Sequence, residues 1–261
     1  MLLCIDIGNT NVTFGLFEGE DLGPCWRIRT IHDRMPDEYG ILLDQLFRNR
    51  DQRPEQVTGI VMASVVPPLT PTFEQVCRDY LKQEPLVMGV GVRTGVRIRY
   101  DNPWEVGADR VADAAAVRAL YRLPACVVDF GTATTFDAIS AEGDYLGGAI
   151  APGIGIAAQA LFERTAKLHR VELTRPPSAI GRTTTHSIQS GLLFGYVGLV
   201  EGMVVRFRGE LGDDTHVIGT GGLAEIMARE TDVIQVVDPW LTLKGLRIVW
   251  ELNQQNAKRE T

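Results

Sequence analysis

One feature constrains the fold of this chain more than any other. The segment LCIDIGNTNVTFGLFE near the start and VVDFGTATTFDAIS near the middle share one pattern. Each has an apolar strand, Asp, an apolar residue, Gly, a run of small hydroxyl or amide side chains, and a second apolar strand. Their aspartates, Asp6 and Asp129, lie 123 residues apart in a chain of 261, close to half its length. A repeat on that scale implies two related lobes, each opening with a β-hairpin. The expected fold is therefore α/β, with lobes at 1–115 and 116–252 and a polar, frayed tail at 253–261. No linker rich in Pro, Ser or Gly marks the boundary, which is inferred from the repeat alone.

The rest of the chain fits mixed α/β lobes. Residues 60–66 are apolar apart from Ser64, as expected of a strand buried on both faces, and 73–81 follow with helical periodicity. Further helices are expected at 105–121, 156–168, 187–208 and 223–229. Strands are expected at 125–130, 216–219 and 233–237, with one more hairpin strand ending in GGAIAPG. Arg97 and Arg99 alternate along a strand and read as a solvated face.

The turn Asp6-Ile7-Gly8-Asn9-Thr10-Asn11 brings backbone N–H groups and short polar side chains close to whatever occupies it, because Gly8 has no Cβ to block approach. This suits a triphosphate. The carboxylate of Asp6 can hold Mg²⁺ directly or through water, since a hard cation takes oxygen ligands. A single copy would read as an ordinary hairpin turn capped by Asp and Asn; two copies in one chain favour the phosphate reading. The second, Asp129 to Thr135, would face the first across a cleft if a pseudo-twofold axis relates the lobes.

Net charge and motif content exclude several classes. A formal charge of −7 leaves no electrostatic footprint for nucleic acid and no attraction to anionic membranes. The first ten residues lack a basic region and do not read as a signal peptide. The apolar stretch 192–205 contains Glu201 and several glycines and falls short of a membrane span. Cys4, Cys25, Cys77 and Cys126 are scattered without CxxC spacing and read as reduced thiols of a cytoplasmic protein. The four histidines show no transition-metal pattern, and no GxxxxGK[ST] loop exists.

Two segments match G-x-G-x-x-A, at 153–158 and 219–224. Neither has the βαβ context and following acid of a dinucleotide fold. The first reads as a tight packing turn. The second follows a strand and opens a helix, which makes Gly221 a candidate nucleotide contact. The segment YDNPWEVGADR, 100–110, is dense in groups that handle a polar substrate. Asp109 and Arg110 fall in the first turn of an expected helix. There they could supply a base for an acceptor hydroxyl and a cation for an anionic group, or simply cap the helix.

Taken in order, DIGNTNVTFGLFE, ASVVPPL, YDNPWEVGADRVADAAA, VVDFGTATTFD, GGAIAPGI, TAKL, IGRTTTHSIQSG and TGGLA cover nearly the whole chain and resemble type III pantothenate kinase. The resemblance implies two duplicated ribonuclease H-like lobes with a central cleft, the actin-like ATPase fold. It implies ATP-dependent phosphorylation of pantothenate to 4′-phosphopantothenate, the first step toward coenzyme A, by a cytoplasmic homodimer. By motif position it makes Asp6, Ile7, Gly8, Asn9, Thr10, Asn11, Val12 and Thr13 the ATP phosphate site, with Thr132 and Gly221 adding contacts. Asp109 becomes the catalytic base. Tyr100, Gly107, Ala108, Asp109, Arg110 and Thr184 become the pantothenate site. Asp129 would bind the monovalent cation, K⁺ or NH₄⁺, that the family requires besides Mg²⁺. Thr183 stands where the family pattern Gly-Arg-Asn-Thr has Asn.

Two other readings stay open on the residues. A different kinase or phosphohydrolase could use the same fold, against which stands the segment around Asp109. A non-catalytic regulatory relative should have lost its acidic residues, whereas Asp6, Asp109 and Asp129 are all present.

Overall fold

The structure, a computed structural model, describes residues 1–257. Its contacts divide the chain into two units. The first unit holds Met1–Arg97, Asp101–Leu120 and the C-terminal segment from Leu241; the second holds Ile98–Tyr100 and Tyr121–Trp240.

The sheet of the first unit is built from β1 (Leu2–Ile7), β2 (Asn11–Glu18), β3 (Asp21–Arg29), β4 (Gly59–Ser64) and β5 (Leu86–Val87), in the order β3-β2-β1-β4-β5. Antiparallel pairing joins β1 to β2 and β2 to β3, while β4 and β5 continue the sheet in parallel. Helices α1 (Pro36–Arg48) and α2 (Thr70–Leu81) cover one face. Alternation along a strand sends Leu3, Ile5 and Ile7 of β1 to that side, into a core with Tyr39, Leu43 and Phe73. The rings of Tyr39 and Phe73 meet at 4.7 Å.

Residues of the other parity, Cys4 and Asp6, face the opposite side. That side is covered by α3 (Ala108–Leu120) and α7 (Leu241–Ala257): Cys4 lies beside Arg247, and Leu243 leans over Gly15. The two helices touch backbone to backbone, since a Cβ on Gly245 would run into the carbonyl of Ala112. The alanines of α3 permit this approach.

The second unit repeats the plan. Its sheet comprises β6 (Ala125–Phe130), β7 (Ala133–Ile139), β8 (Tyr145–Pro152), β9 (His216–Thr220) and β10 (Val236–Val237). Read from β8 the order is β8-β7-β6-β9-β10, the same meander followed by the same two parallel strands. Cys126, Val128 and Phe130 point into a core formed with α4 (Ile154–Arg164), α5 (Thr184–Leu211) and α6 (Ala224–Ala228). Asp129, of opposite parity, faces away from it. By length and hydropathy α5 could cross a membrane. Leu192, Leu193, Val197, Val200 and Val204 are nonetheless buried in this core, and Glu201 accepts the hydroxyl of Thr231 at 2.7 Å.

Three expectations change. The lobes are not consecutive segments, because the C-terminal helix returns to the first unit and extends through 253–257, where a frayed tail was expected; residues 258–261 lie outside the described part. Helix α4 stops at Arg164, so the TAKL stretch is irregular. Arg97 and Arg99 are exposed, as expected of a solvated face, but lie outside the strands of either sheet: Ile98 bridges to Tyr145 on the edge strand β8, and Arg99 pairs with Asp144 at 2.9 Å.

Candidate functional site

The first turn is the tip of the β1–β2 hairpin. The last paired residues are Ile7 and Val12, with Asp6 opposite Thr13, leaving Gly8, Asn9, Thr10 and Asn11 in the turn. The Gly8 N–H donates to the Asn11 carbonyl at 3.0 Å, which closes it. A Cβ on Gly8 would lie 3.1 Å from that carbonyl oxygen, so glycine permits the tight closure. Asn9, Thr10 and Asn11 are exposed, whereas Val12 and Thr13 are buried in the strand.

At the same end of this sheet the Val65 N–H donates to the Ile7 carbonyl at 3.0 Å. Val65 also borders Gly107, the residue before α3. Asp109 follows in the first helical turn. Its carboxylate accepts the Arg110 backbone N–H at 2.8 Å and occupies the space that a Cβ on Gly107 would need. Burial pushes the Asp109 carboxyl above the ordinary aspartate range; the Arg110 N–H and guanidinium oppose that rise without cancelling it. Asp6 and the helix bearing Asp109 therefore share one face and one end of the first sheet. Ala108 and Arg110 flank Asp109 in this turn, and both are half-buried.

The second turn is one residue shorter. Phe130 pairs with Thr134, so only Gly131, Thr132 and Ala133 lie between them. Asp129 sits opposite Thr135 on one side and Thr220 on the other, as Asp6 sits opposite Thr13 and Ala63. Gly221 adopts φ +89°, a left-handed conformation that favours glycine, and a Cβ there would strike the Asp129 carboxylate and the Phe130 backbone. The loop after β9 is thus pressed against Asp129. Gly153, at the start of α4, lies against the carbonyls of Gly131 and Thr132. The first G-x-G-x-x-A match is a packing turn, as its sequence suggests, and what it packs against is the second turn.

Two expected substrate residues lie elsewhere in the second unit. The ring of Tyr100 rests 6.4 Å from that of Tyr145 and against Gly147, whose φ is +129°. Tyr145 is itself fixed by donating its hydroxyl to the buried Asp137 at 2.8 Å. Thr184 is the first residue of α5 and is exposed. Thr183 caps that helix, its hydroxyl accepting the His186 N–H at 3.1 Å. Thr and Asn are both favourable N-caps, so the Thr-for-Asn exchange preserves the local structure.

Among the described residues no three His, Cys, Asp or Glu side chains gather as a metal cluster. What the two turns offer instead is single carboxylates among hydroxyl-bearing residues, a hard-oxygen environment suited to cations held largely by a bound phosphate and water.

Comparison with known proteins fits this geometry. The family profile of Type III pantothenate kinase matches residues 2–206, which include both turns, the Asp109 helix and Thr184. A Type III pantothenate kinase of Moorella thermoacetica is 52% identical over 97% of this chain and 100% of its own. The chain belongs to the type III pantothenate kinase family.

Two solved structures carry the fold further afield. A Campylobacter jejuni protein assigned to the Baf family of transcriptional activators has a TM-score of 0.62 at 20% identity, covering 97% of this chain and 99% of that one. The polyphosphate/ATP-glucomannokinase of Arthrobacter sp. strain KM has a TM-score of 0.50 at 14% identity, with 97% and 98% covered. At such identities they speak for the fold alone. The mixed α/β fold seen here is shared with these two structures.

Proposed function

We propose that this protein is a pantothenate kinase that transfers the γ-phosphoryl group of ATP to the hydroxyl of pantothenate, giving 4′-phosphopantothenate and ADP in the first step of coenzyme A biosynthesis. The observation that carries the reading is the desolvated carboxyl of Asp109, at the same end of the first sheet as the Asp6 turn, in a chain that matches the family over nearly its whole length. A base whose pKa is raised toward the working pH accepts a proton more readily from a hydroxyl. As the hydroxyl oxygen forms its bond to phosphorus, its proton passes to the Asp109 carboxylate and the bond from phosphorus to the bridging oxygen of ADP breaks. Arg110 contributes positive charge where negative charge gathers.

In this proposal the backbone of Asp6 to Thr13 holds the phosphates of ATP, while Thr132 and Gly221 contact the same nucleotide from the second turn. The two units are then duplicated ribonuclease H-like lobes of the actin-like fold. Repetition of the strand order and of the aspartate position supports that duplication. Asp6 would hold Mg²⁺, directly or through water, and Asp129 a K⁺ or NH₄⁺ ion; bound there, these ions neutralise charge on the phosphates. Tyr100, Gly107, Ala108, Arg110 and Thr184 complete the pantothenate site, and the enzyme works in the cytoplasm.

The purified protein is expected to consume ATP only when pantothenate, Mg²⁺ and K⁺ or NH₄⁺ are supplied together, with 4′-phosphopantothenate accumulating in step with ADP. ATP consumption without that product would refute the assignment.

The proposal includes a homodimer. Helix α5 presents Gly191, Gly195 and Gly198 to solvent, where an added Cβ would meet nothing, and Val205 beyond them is 65% exposed. Small residues along one helix face allow a second helix to approach closely, and an apolar flank favours its burial. Light scattering should report a particle of twice the 28.7 kDa chain mass. A particle of single-chain mass at micromolar concentration would remove the dimer from the proposal.

A further inference from the structure

The first turn is held from behind by a residue that belongs to none of the motifs. Thr30 follows the last residue of β3 and is buried. Its backbone N–H donates to the Thr10 carbonyl at 2.9 Å, and its hydroxyl donates to the Gly8 carbonyl at 2.6 Å. One residue thus restrains two of the four carbonyls in the turn.

A planar trans peptide points its N–H opposite to its C=O. Drawing the Gly8 carbonyl toward Thr30 therefore turns the Asn9 N–H away from Thr30, and drawing the Thr10 carbonyl there turns the Asn11 N–H away as well. Left unrestrained, a short turn rich in Gly and Asn samples conformations that aim carbonyl oxygens outward, where they would repel an anion. The restraint also sets which side of the turn is electropositive.

Thr30 is itself anchored. The next residue, Ile31, has its N–H donating to the Tyr39 hydroxyl at 3.0 Å and its carbonyl accepting from that hydroxyl at 2.9 Å. Tyr39 is fully buried in α1 and packed on Phe73. A continuous path runs from the core of the first unit through Tyr39, Ile31 and Thr30 to the carbonyls of Gly8 and Thr10.

We infer that Thr30 is a positioning residue for nucleotide binding: it holds the carbonyls of Gly8 and Thr10 back so that the turn presents N–H groups to the phosphates. This rests on the reading of the Asp6 turn as a phosphate site. Thr30 touches no substrate in this account and acts only through the turn.

The test uses the full chain with Thr30→Val, which keeps the shape of the side chain and the backbone N–H but removes the hydroxyl, and Thr30→Ser, which restores it. Loss of one hydrogen bond that orders the turn should raise the Kd of a non-hydrolysable ATP analogue about fivefold in T30V. The KM for pantothenate at saturating ATP should stay within about twofold of the parent, and T30S should bind the analogue within about twofold as well. A general loss of packing would instead disturb both substrates and would not be reversed by serine. Should valine prevent folding, Thr30→Ala carries the same comparison. A parent that makes phosphopantothenate, alongside a folded T30V or T30A chain that binds the analogue as tightly, overturns the role of Thr30 alone. A parent that neither binds the analogue nor makes product overturns the functional reading and this inference with it.

Discussion

Asp109→Asn is expected to lower kcat by about 10²-fold or more while leaving the protein folded and at least as heat-stable as the parent. Both halves of this expectation follow from one cause. The carboxyl is buried beside Gly107 and Val65, and burial raises its pKa against the pull of Arg110. As the native value lies above the unfolded one, the native state binds the proton more tightly. The associated stability is fully present below the unfolded pKa and is lost as pH rises through the native one. At neutral pH the native protein therefore carries a buried carboxylate at a cost, which asparagine removes.

The same displacement should appear in the kinetics. The acid limb of kcat/KM for the parent should fall above the ordinary aspartate range and vanish in the variant. A pH-rate profile and a thermal melt of the two proteins test both halves. Turnover within about tenfold of the parent would reduce Asp109 to a helix-capping or orienting role.

Gly221→Ala is expected to have the second large effect, through the second turn. At φ +89° an alanine costs on the order of 1–3 kcal/mol in backbone strain alone. Its methyl group would also enter the space of the Asp129 carboxylate and the Phe130 backbone. Strand β6 is central in its sheet and cannot shift, so either the loop after β9 lifts or Asp129 turns aside. If Asp129 holds the monovalent cation, the K⁺ concentration for half-activation and the KM for ATP should each rise about tenfold or more. The melting temperature should drop by several degrees. Titrations of K⁺ and ATP against initial rate are the measurement; parent-like values for both would remove Gly221 and Asp129 from the nucleotide site.

The parts of this molecule that were legible in its sequence are those written locally. The two hairpins announce themselves because strand, turn glycine and returning strand occupy fewer than twenty consecutive residues, and their chemistry depends on backbone geometry that glycine permits. The buried parallel strand β4 shows in the apolar run Ile60 to Ala63. The start of α3 places Asp109 where an acid belongs at a helix N-terminus. Helix ends were less legible: α3 begins at Ala108 because the preceding Pro103–Glu105 forms its own short 3₁₀ turn, and α4 stops at Arg164.

What stayed hidden depends on contacts between residues far apart in the chain. Thr30 stands twenty-two positions from the carbonyl it holds, and nothing in its own neighbourhood marks it. Gly153 reads as a turn glycine, yet its partner is the backbone of Thr132. The return of α7 to the first unit buries Leu241, Leu243, Leu246 and Val249 and brings Gly245 against Ala112, and nothing local in α7 names that partner. The edge of the second sheet likewise receives Ile98–Tyr100 from a distant stretch of chain.

The sequence by itself determined the two hairpin turns, their aspartates and the helix that carries Asp109 in its first turn, because strand alternation and glycine placement act over a few residues. Only the tertiary structure decided which carbonyls are held back behind the first turn, which glycine presses on Asp129 and to which unit the last helix belongs. Those outcomes depend on close packing of surfaces that meet only after the chain has folded: a local pattern marks which residues are buried, but not which distant residue each of them meets.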